Sequence, residues 1–108
     1  MKKNLVFLVG YVGQNLSTKN LQNGVKRVAL RVATHNQHTN NTGKQIVSTT
    51  WHDVVAWKST AEFAERNFVK GSKVMIEGSI EYRTYFDNRG HKRYITQIKA
   101  HCLMNLDR

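Results

Sequence analysis

Apolar and polar positions along this chain fall into strand-length runs, separated by short clusters of turn-forming residues. The first run, residues 4–12 (NLVFLVGYV), is almost wholly apolar, rich in valine and aromatics, and closes at Gly13. An unalternating run of this length predicts a strand buried on both faces. In residues 26–33, Val28, Leu30 and Val32 alternate with Arg27, Ala29, Arg31 and Ala33. That period of two predicts a strand with one face in the core and the other carrying arginine. The polar residues 35–44 (HNQHTNNTGK) are turn formers and predict a mobile hairpin connection without regular structure. A third strand is expected over residues 46–58.

Ser59 and Glu62 (STAE) have the spacing of a capping box, which predicts a short helix beginning there. Ala61, Ala64 and Phe68 share its apolar face, and Lys70 with Gly71 supplies a basic last turn and a left-handed stop. A fourth strand follows over residues 73–86, with Gly78 as a bulge where it bends. Asp87, Asn88, Arg89 and Gly90 form the turn to a fifth strand reaching about residue 106. Three strands, a helix and two strands predict an all-β protein. The pattern is that of a five-stranded OB-fold Greek-key barrel, with one short helix between strands three and four.

Length and composition narrow this further. A chain of 108 residues, 40% hydrophobic, holds one core, so residues 1–108 are read as one domain. Seventeen Lys and Arg against seven Asp and Glu leave a net charge of +10, which attracts polyanions. No long apolar span or basic amphipathic helix points to a membrane, so nucleic acid is the expected partner. The single Cys102 beside Leu103 and Met104 is expected to be a buried thiol, and the N-terminus lacks the apolar run of a secretory signal. A cytoplasmic location follows from these features.

Candidates for catalysis are thin. His35 and His38 have a spacing found in metal sites but lack a third ligand nearby in sequence. His52 and Asp53 are strand neighbours that point to opposite faces, so His52 is read as structural. No metal, cofactor or enzymatic activity is expected. The stronger constellation is aromatic and basic: Trp51, Trp57, Tyr82, Tyr85, Phe86 and Tyr94 are interleaved with Arg31, Lys58, Arg83, Arg89, Lys92 and Arg93. Rings that stack on unpaired bases and cations that track phosphates are what single strands require. Trp51 and Trp57 lie six apart on one strand, on the face that also carries Asp53 and Val55. A face holding both indoles and Asp53 is expected to be open.

Several segments resemble the bacterial single-stranded DNA-binding proteins: residues 4–13 (NLVFLVGYVG), 28–34 (VALRVAT), 42–44 (TGK), 50–57 (TWHDVVAW), 70–78 (KGSKVMIEG), Ala61 with Glu62, and Arg93 with Tyr94. The resemblance spans nearly the whole chain. It implies sequence-independent binding of single-stranded DNA in replication, recombination or repair, by a nucleoid-associated homotetramer. It implies stacking on Trp51, Trp57 and Tyr85, with Phe86 as a further candidate at the hairpin tip. Basic contacts are implied near Arg31, Lys58, Lys70, Lys73 and Arg83, extended by Arg89, Lys92 and Arg93. His52 falls where the family has an interface histidine, and Leu5 and Phe7 on the apolar first strand are the accompanying interface candidates. Two departures stand out. His38 occupies the place of a further stacking tryptophan, and the chain ends at Leu106, Asp107 and Arg108 without the family's acidic tip. Recruitment of replication and repair partners through that tip is therefore not carried over.

Two other readings remain. A primosomal replication protein of the same fold, usually dimeric, would bridge DNA and a helicase loader. A small metal-dependent nuclease would rest on the histidine-rich loop.

Overall fold

The computed structural model describes residues 4–14 and 16–107. Its elements are β1 (Val6–Val12), β2 (Ser17–Asn20), β3 (Lys26–Thr39), β4 (Gln45–Trp57), α1 (Lys58–Asn67), β5 (Lys73–Phe86) and β6 (Lys92–Asn105). The strand order is β1-β5-β6-β4-β3-β2, and β1 pairs with β3 through Tyr11–Ala33 and Val12–Val32. That contact closes β1, β3, β4, β5 and β6 into a five-stranded barrel. The short β2, which the sequence pattern does not signal, extends the rim by pairing with β3. All pairs are antiparallel except β4 with β6, which meet in parallel at Val54–Ile98 and Val55–Lys99.

Alternation fills the interior. Val28, Leu30 and Val32 of β3, Val54 and Ala56 of β4, Val74 and Ile76 of β5, and Ile98, Ala100 and Leu103 of β6 are buried in one cluster. The helix closes one end of the barrel with the face expected of it, Ala61, Ala64 and Phe68, all buried. Gly78 marks a register shift between β5 and β6, as predicted. A Cβ there would come within 2.2 Å of the Lys99 carbonyl oxygen, so the two strands approach closely only because the residue is glycine.

Several local expectations fail for identifiable reasons. The helix begins at Lys58, so Ser59 lies inside the first turn instead of preceding it, and no side chain caps the N-terminus. Lys58 itself adopts φ +56°, a left-handed conformation that turns the chain from β4 into the helix at a cost of about 1–2 kcal/mol. Gly71 is indeed left-handed (φ +92°), but it lies beyond the helix cap at Phe68, in a turn whose N–H donates to the Val12 carbonyl. Cys102 is exposed, because Leu103 takes the inward position opposite Ile76 and alternation turns its neighbour out.

The largest difference concerns residues 35–44. They are not an irregular connection: β3 and β4 pair without a break out to Thr39–Gln45. Only residues 40–44 turn, with Asn40 Oδ1 accepting from the N–H groups of Thr42 and Lys44 at 3.0 and 2.9 Å. Nor is β1 covered on both faces. Leu5, Phe7, Val9 and Tyr11 are 54, 63, 44 and 43% exposed, with Met104 on the same side of the sheet. A barrel of five strands has one inside, and β1 spends only Val6, Leu8 and Val12 on it.

Candidate nucleic-acid interface

Uninterrupted register between β3 and β4 sets Arg27, Ala29, Arg31 and Ala33 directly opposite Trp57, Val55, Asp53 and Trp51. All eight therefore share the outer face of the barrel. Here the expected face forms. Trp51 is 46% exposed, and the Arg31 guanidinium lies 5.1 Å from its ring centroid. A Cβ at Gly13 would strike the Trp51 ring at 2.0 Å, so glycine at that position gives the indole its seat. Trp57 is half-buried beneath Arg27, 5.7 Å away. Asp53 is exposed and pairs with Arg31 at 3.5 Å.

The β5–β6 hairpin rises along one side of this face. Glu81, Arg83 and Tyr85 of β5 face Gln97, Ile95 and Arg93 of β6. Arg83, Ile95 and Gln97 wall a groove floored by Arg27, Arg31, Asp53 and Val55, and the groove continues past Trp57 to Lys19 and Leu21. That wall explains why Val55 is buried although it shares the outer face of the tryptophans. Arg27 and Arg83 stand close enough to oppose each other's charge. Burial first, and the Arg83 charge second, lower the Arg27 pKa, while Glu81 works in the other direction. Glu81 accepts a hydrogen bond from Gln97 Nε2 at 2.6 Å. The groove thus concentrates guanidinium groups between two indoles, with Asp53 and Glu81 as its carboxylates.

The predicted site residues divide into groups. Trp57, Arg31 and Arg83 line the groove, Trp51 stands beside it against Arg31, and Tyr85 stands farther up the hairpin, 45% exposed, opposite Arg93. Arg89, Lys92 and Arg93 lie at the hairpin tip, where Arg93 binds Asp87 at 2.9 Å and Lys92 sits 5.7 Å from the Tyr94 ring. Phe86, 71% exposed, is on the opposite face of the same hairpin from Tyr85. Lys58 lies just beyond Trp57 at the start of the helix, while Lys70 precedes β5 and Lys73 is opposite Tyr11. His38 is exposed on the side of β3 turned away from Arg31 and the tryptophans, because it lies seven positions, an odd spacing, beyond Arg31 on the strand. His35 and His38 likewise fall on opposite faces, and His35 Nδ1 is engaged with Thr49 Oγ1 at 3.0 Å. No cluster of three potential metal ligands occurs among the described residues. His52 is half-buried, bonded through Nε2 to Thr34 Oγ1 at 2.9 Å, and borders an apolar hollow with Val6, Leu8 and Ile80. Leu5 and Phe7 lie on the open face of β1.

Arg27 and Lys19 were missed. Arg27 was legible, since it lies four residues from Arg31 on the same strand face. Lys19 was not, because the polar β2 carries no strand pattern.

Residues 3–106 match the Single-strand binding protein family. A single-stranded DNA-binding protein of Bacteroides thetaiotaomicron is 38% identical over 100 residues, covering 91% of this chain and 62% of that protein. Single-stranded DNA-binding protein 1 of Xylella fastidiosa is 34% identical over 98 residues, covering 90% of this chain and 72% of that one. Among solved structures, the Plasmodium falciparum SSB complex with ssDNA superposes with a TM-score of 0.87 at 26% identity, over 99% of this chain and 97% of that one. The single-stranded DNA-binding protein of Thermus aquaticus, a deletion mutant, gives 0.83 at 25% identity over 96% of this chain and 50% of that one. The chain therefore spans less than two thirds of the length of the Bacteroides relative.

Proposed function

The chain belongs to the Single-strand binding protein family, and from that premise we propose that it binds single-stranded DNA without reading sequence, to protect strands exposed in replication, recombination and repair. The carrying observation is the groove in which Arg27, Arg31 and Arg83 converge between Trp51 and Trp57. Bases stack on the indoles and on Tyr85, each contributing about 1–3 kcal/mol, while the guanidinium groups meet phosphates. Double-stranded DNA keeps its base faces hidden and cannot use these rings. Counterion release makes the affinity fall with salt, by a slope of roughly 0.7 per phosphate contacted.

Tryptophan fluorescence decides the matter in titrations with poly-dT and with duplex of equal length, across a salt series. Quenching by poly-dT and weak binding to duplex are expected. Equal binding to both would remove the stacking reading, and a flat salt response would remove the electrostatic one.

The active form is a homotetramer in the bacterial cytoplasm. Supporting this, Leu5, Phe7, Val9, Tyr11 and Met104 leave a contiguous apolar sheet face open in the single chain, the kind of surface that soluble proteins cover. His52 beside the hollow of Val6 and Leu8 is a second contact region. Light scattering tests the assembly, and a monomeric mass at neutral pH would overturn it.

A further inference from the structure

The β5–β6 hairpin has a second face that the groove does not use. Alternation sets Tyr82, Thr84 and Phe86 of β5 opposite Thr96, Tyr94 and Lys92 of β6, on the other side from Arg83 and Tyr85. Closer to the barrel this is the side that buries Val74 and Ile76. Beyond Ile80 no described residue covers it: β1 pairs with β5 only as far as Gly78, and the Asn4 side chain then clasps the Ile80 backbone with two hydrogen bonds of 2.8 and 2.9 Å. Past that clasp, Tyr82, Tyr94 and Phe86 are 80, 74 and 71% exposed.

We propose that this face is a second stacking site for single-stranded DNA, which takes the bases of a strand as it leaves the groove. The inference rests on the groove binding single strands, and five points carry it further. Tyr82 follows Glu81 and precedes Arg83, which wall the groove, with its ring on the hairpin's other face, so a strand leaving past Trp57 reaches the ring over the edge of the hairpin. Tyr94 lies across from Thr84, between Tyr82 and Phe86, so the three rings form one cluster. Residues two apart on a strand are separated by about 7 Å, roughly twice the 3.4 Å spacing of stacked bases. None of the three rings is stacked on another ring among the described residues, and only the Lys92 ammonium lies over one of them, 5.7 Å from the centroid of Tyr94. Finally, the face carries Lys92 and no carboxylate, while Thr84 and Thr96 keep it polar between the rings. A dry protein contact suits that mixture less well than a chain of bases and phosphates.

The experiment compares the intact protein with a Tyr82→Ser, Phe86→Ser, Tyr94→Ser variant on two dT oligomers. One has about 6 nucleotides and the other about 20, chosen to lie within and beyond the reach of a single OB-fold. The variant is expected to bind the short oligomer within about twofold of the parent and the long one at least tenfold more weakly. Equal weakening on both lengths, or none on the long one, overturns the proposal. A lower mass by light scattering with unchanged binding of the long oligomer assigns the face to a second copy of the chain and also overturns it. If the parent protein binds neither length, the groove itself fails and this site fails with it. Labelling the parent with 3-fluorotyrosine gives a readout independent of the variant's folding. The fluorine signals of Tyr82 and Tyr94, assigned through Tyr82→Phe and Tyr94→Phe, should move with the long oligomer and not with the short one. Signals that stay fixed with the long oligomer count against the site.

Discussion

Two long hairpins leave the barrel, and their tips are built alike. In the β3–β4 arm, Asn40 Oδ1 accepts from the N–H of Thr42 and Lys44, the Asn40 N–H donates to the Lys44 carbonyl, and Gly43 has φ +81°. In the β5–β6 arm, Asp87 Oδ1 accepts from the N–H of Arg89 and His91, the Asp87 N–H donates to the His91 carbonyl, and Gly90 has φ +77°. A short acceptor side chain at the first position and a glycine at the fourth suffice to make this turn. The surfaces that the two turns carry have little in common. Between residues 34 and 50 one arm has a single charged residue, Lys44, and no Trp, Tyr or Phe. The other carries Tyr82, Arg83, Tyr85, Phe86, Arg89, Lys92, Arg93 and Tyr94. Hairpin geometry is thus a local property that says nothing about binding; the strand side chains assign that.

The sharpest way to break the comparison is to remove the aromatic arm. Replacing residues 84–94 with an Asn-Gly turn deletes Tyr85, Phe86, Tyr94, Arg89, Lys92 and Arg93. Affinity for poly-dT is expected to fall at least hundredfold, and the salt slope to drop by up to about 2. Binding that survives such a deletion would show that the groove floor acts alone.

Trp57 lies opposite Arg27, at the end of the groove far from the polar arm. Trp57→Ala should cost about 1–3 kcal/mol of binding with the fold retained, as seen by circular dichroism. Unchanged affinity in a folded variant would make this indole a packing residue.

Asp53, at the base of the polar arm, should work against binding, since it occupies Arg31 and opposes phosphate. Asp53→Asn is therefore expected to raise affinity about two- to fivefold, less at high salt because exposed charges are screened. A loss of affinity would mean that Asp53 positions Arg31.

Shortening the polar arm by replacing residues 37–47 with Asn-Gly should change affinity by less than about threefold, within the range of modest surface effects. A large loss would show that the two arms are functionally equivalent after all.

The smallest effect is local to the aromatic tip. Hydrogen bonds from the His91 backbone first, then from the Arg93 side chain, lower the Asp87 pKa below its ordinary value of 3.8. The carboxylate's contribution to the turn is thus complete above that ordinary value and is lost as pH falls through the lowered one. The amide signal of Arg89, which donates to the Asp87 carboxylate, should shift in that acid range. A titration near neutral pH would contradict the assignment.

Much of this was legible in the chain. The period of two in residues 26–33 placed Val28, Leu30 and Val32 inside and the arginines outside, and the structure agrees. The six-residue spacing of Trp51 and Trp57 put both on one face with Asp53, as found. The polar arm was misread because Thr, Asn, Gln and His also occur in loops. A two-stranded ribbon solvated on both faces leaves no hydrophobic period to detect.

What the sequence alone determined is which side chains share a strand face and where the chain turns, because alternation and turn chemistry act over a few residues. Tertiary structure decided which faces meet. Closure of β1 onto β3 left Phe7 and Val9 outside, and the parallel pairing of β4 with β6 brought Gln97 and Arg83 over Arg27, although those residues lie far apart in the chain. Register and closure are set by the fit of the whole core, a sum over contacts distant in sequence that no local pattern records.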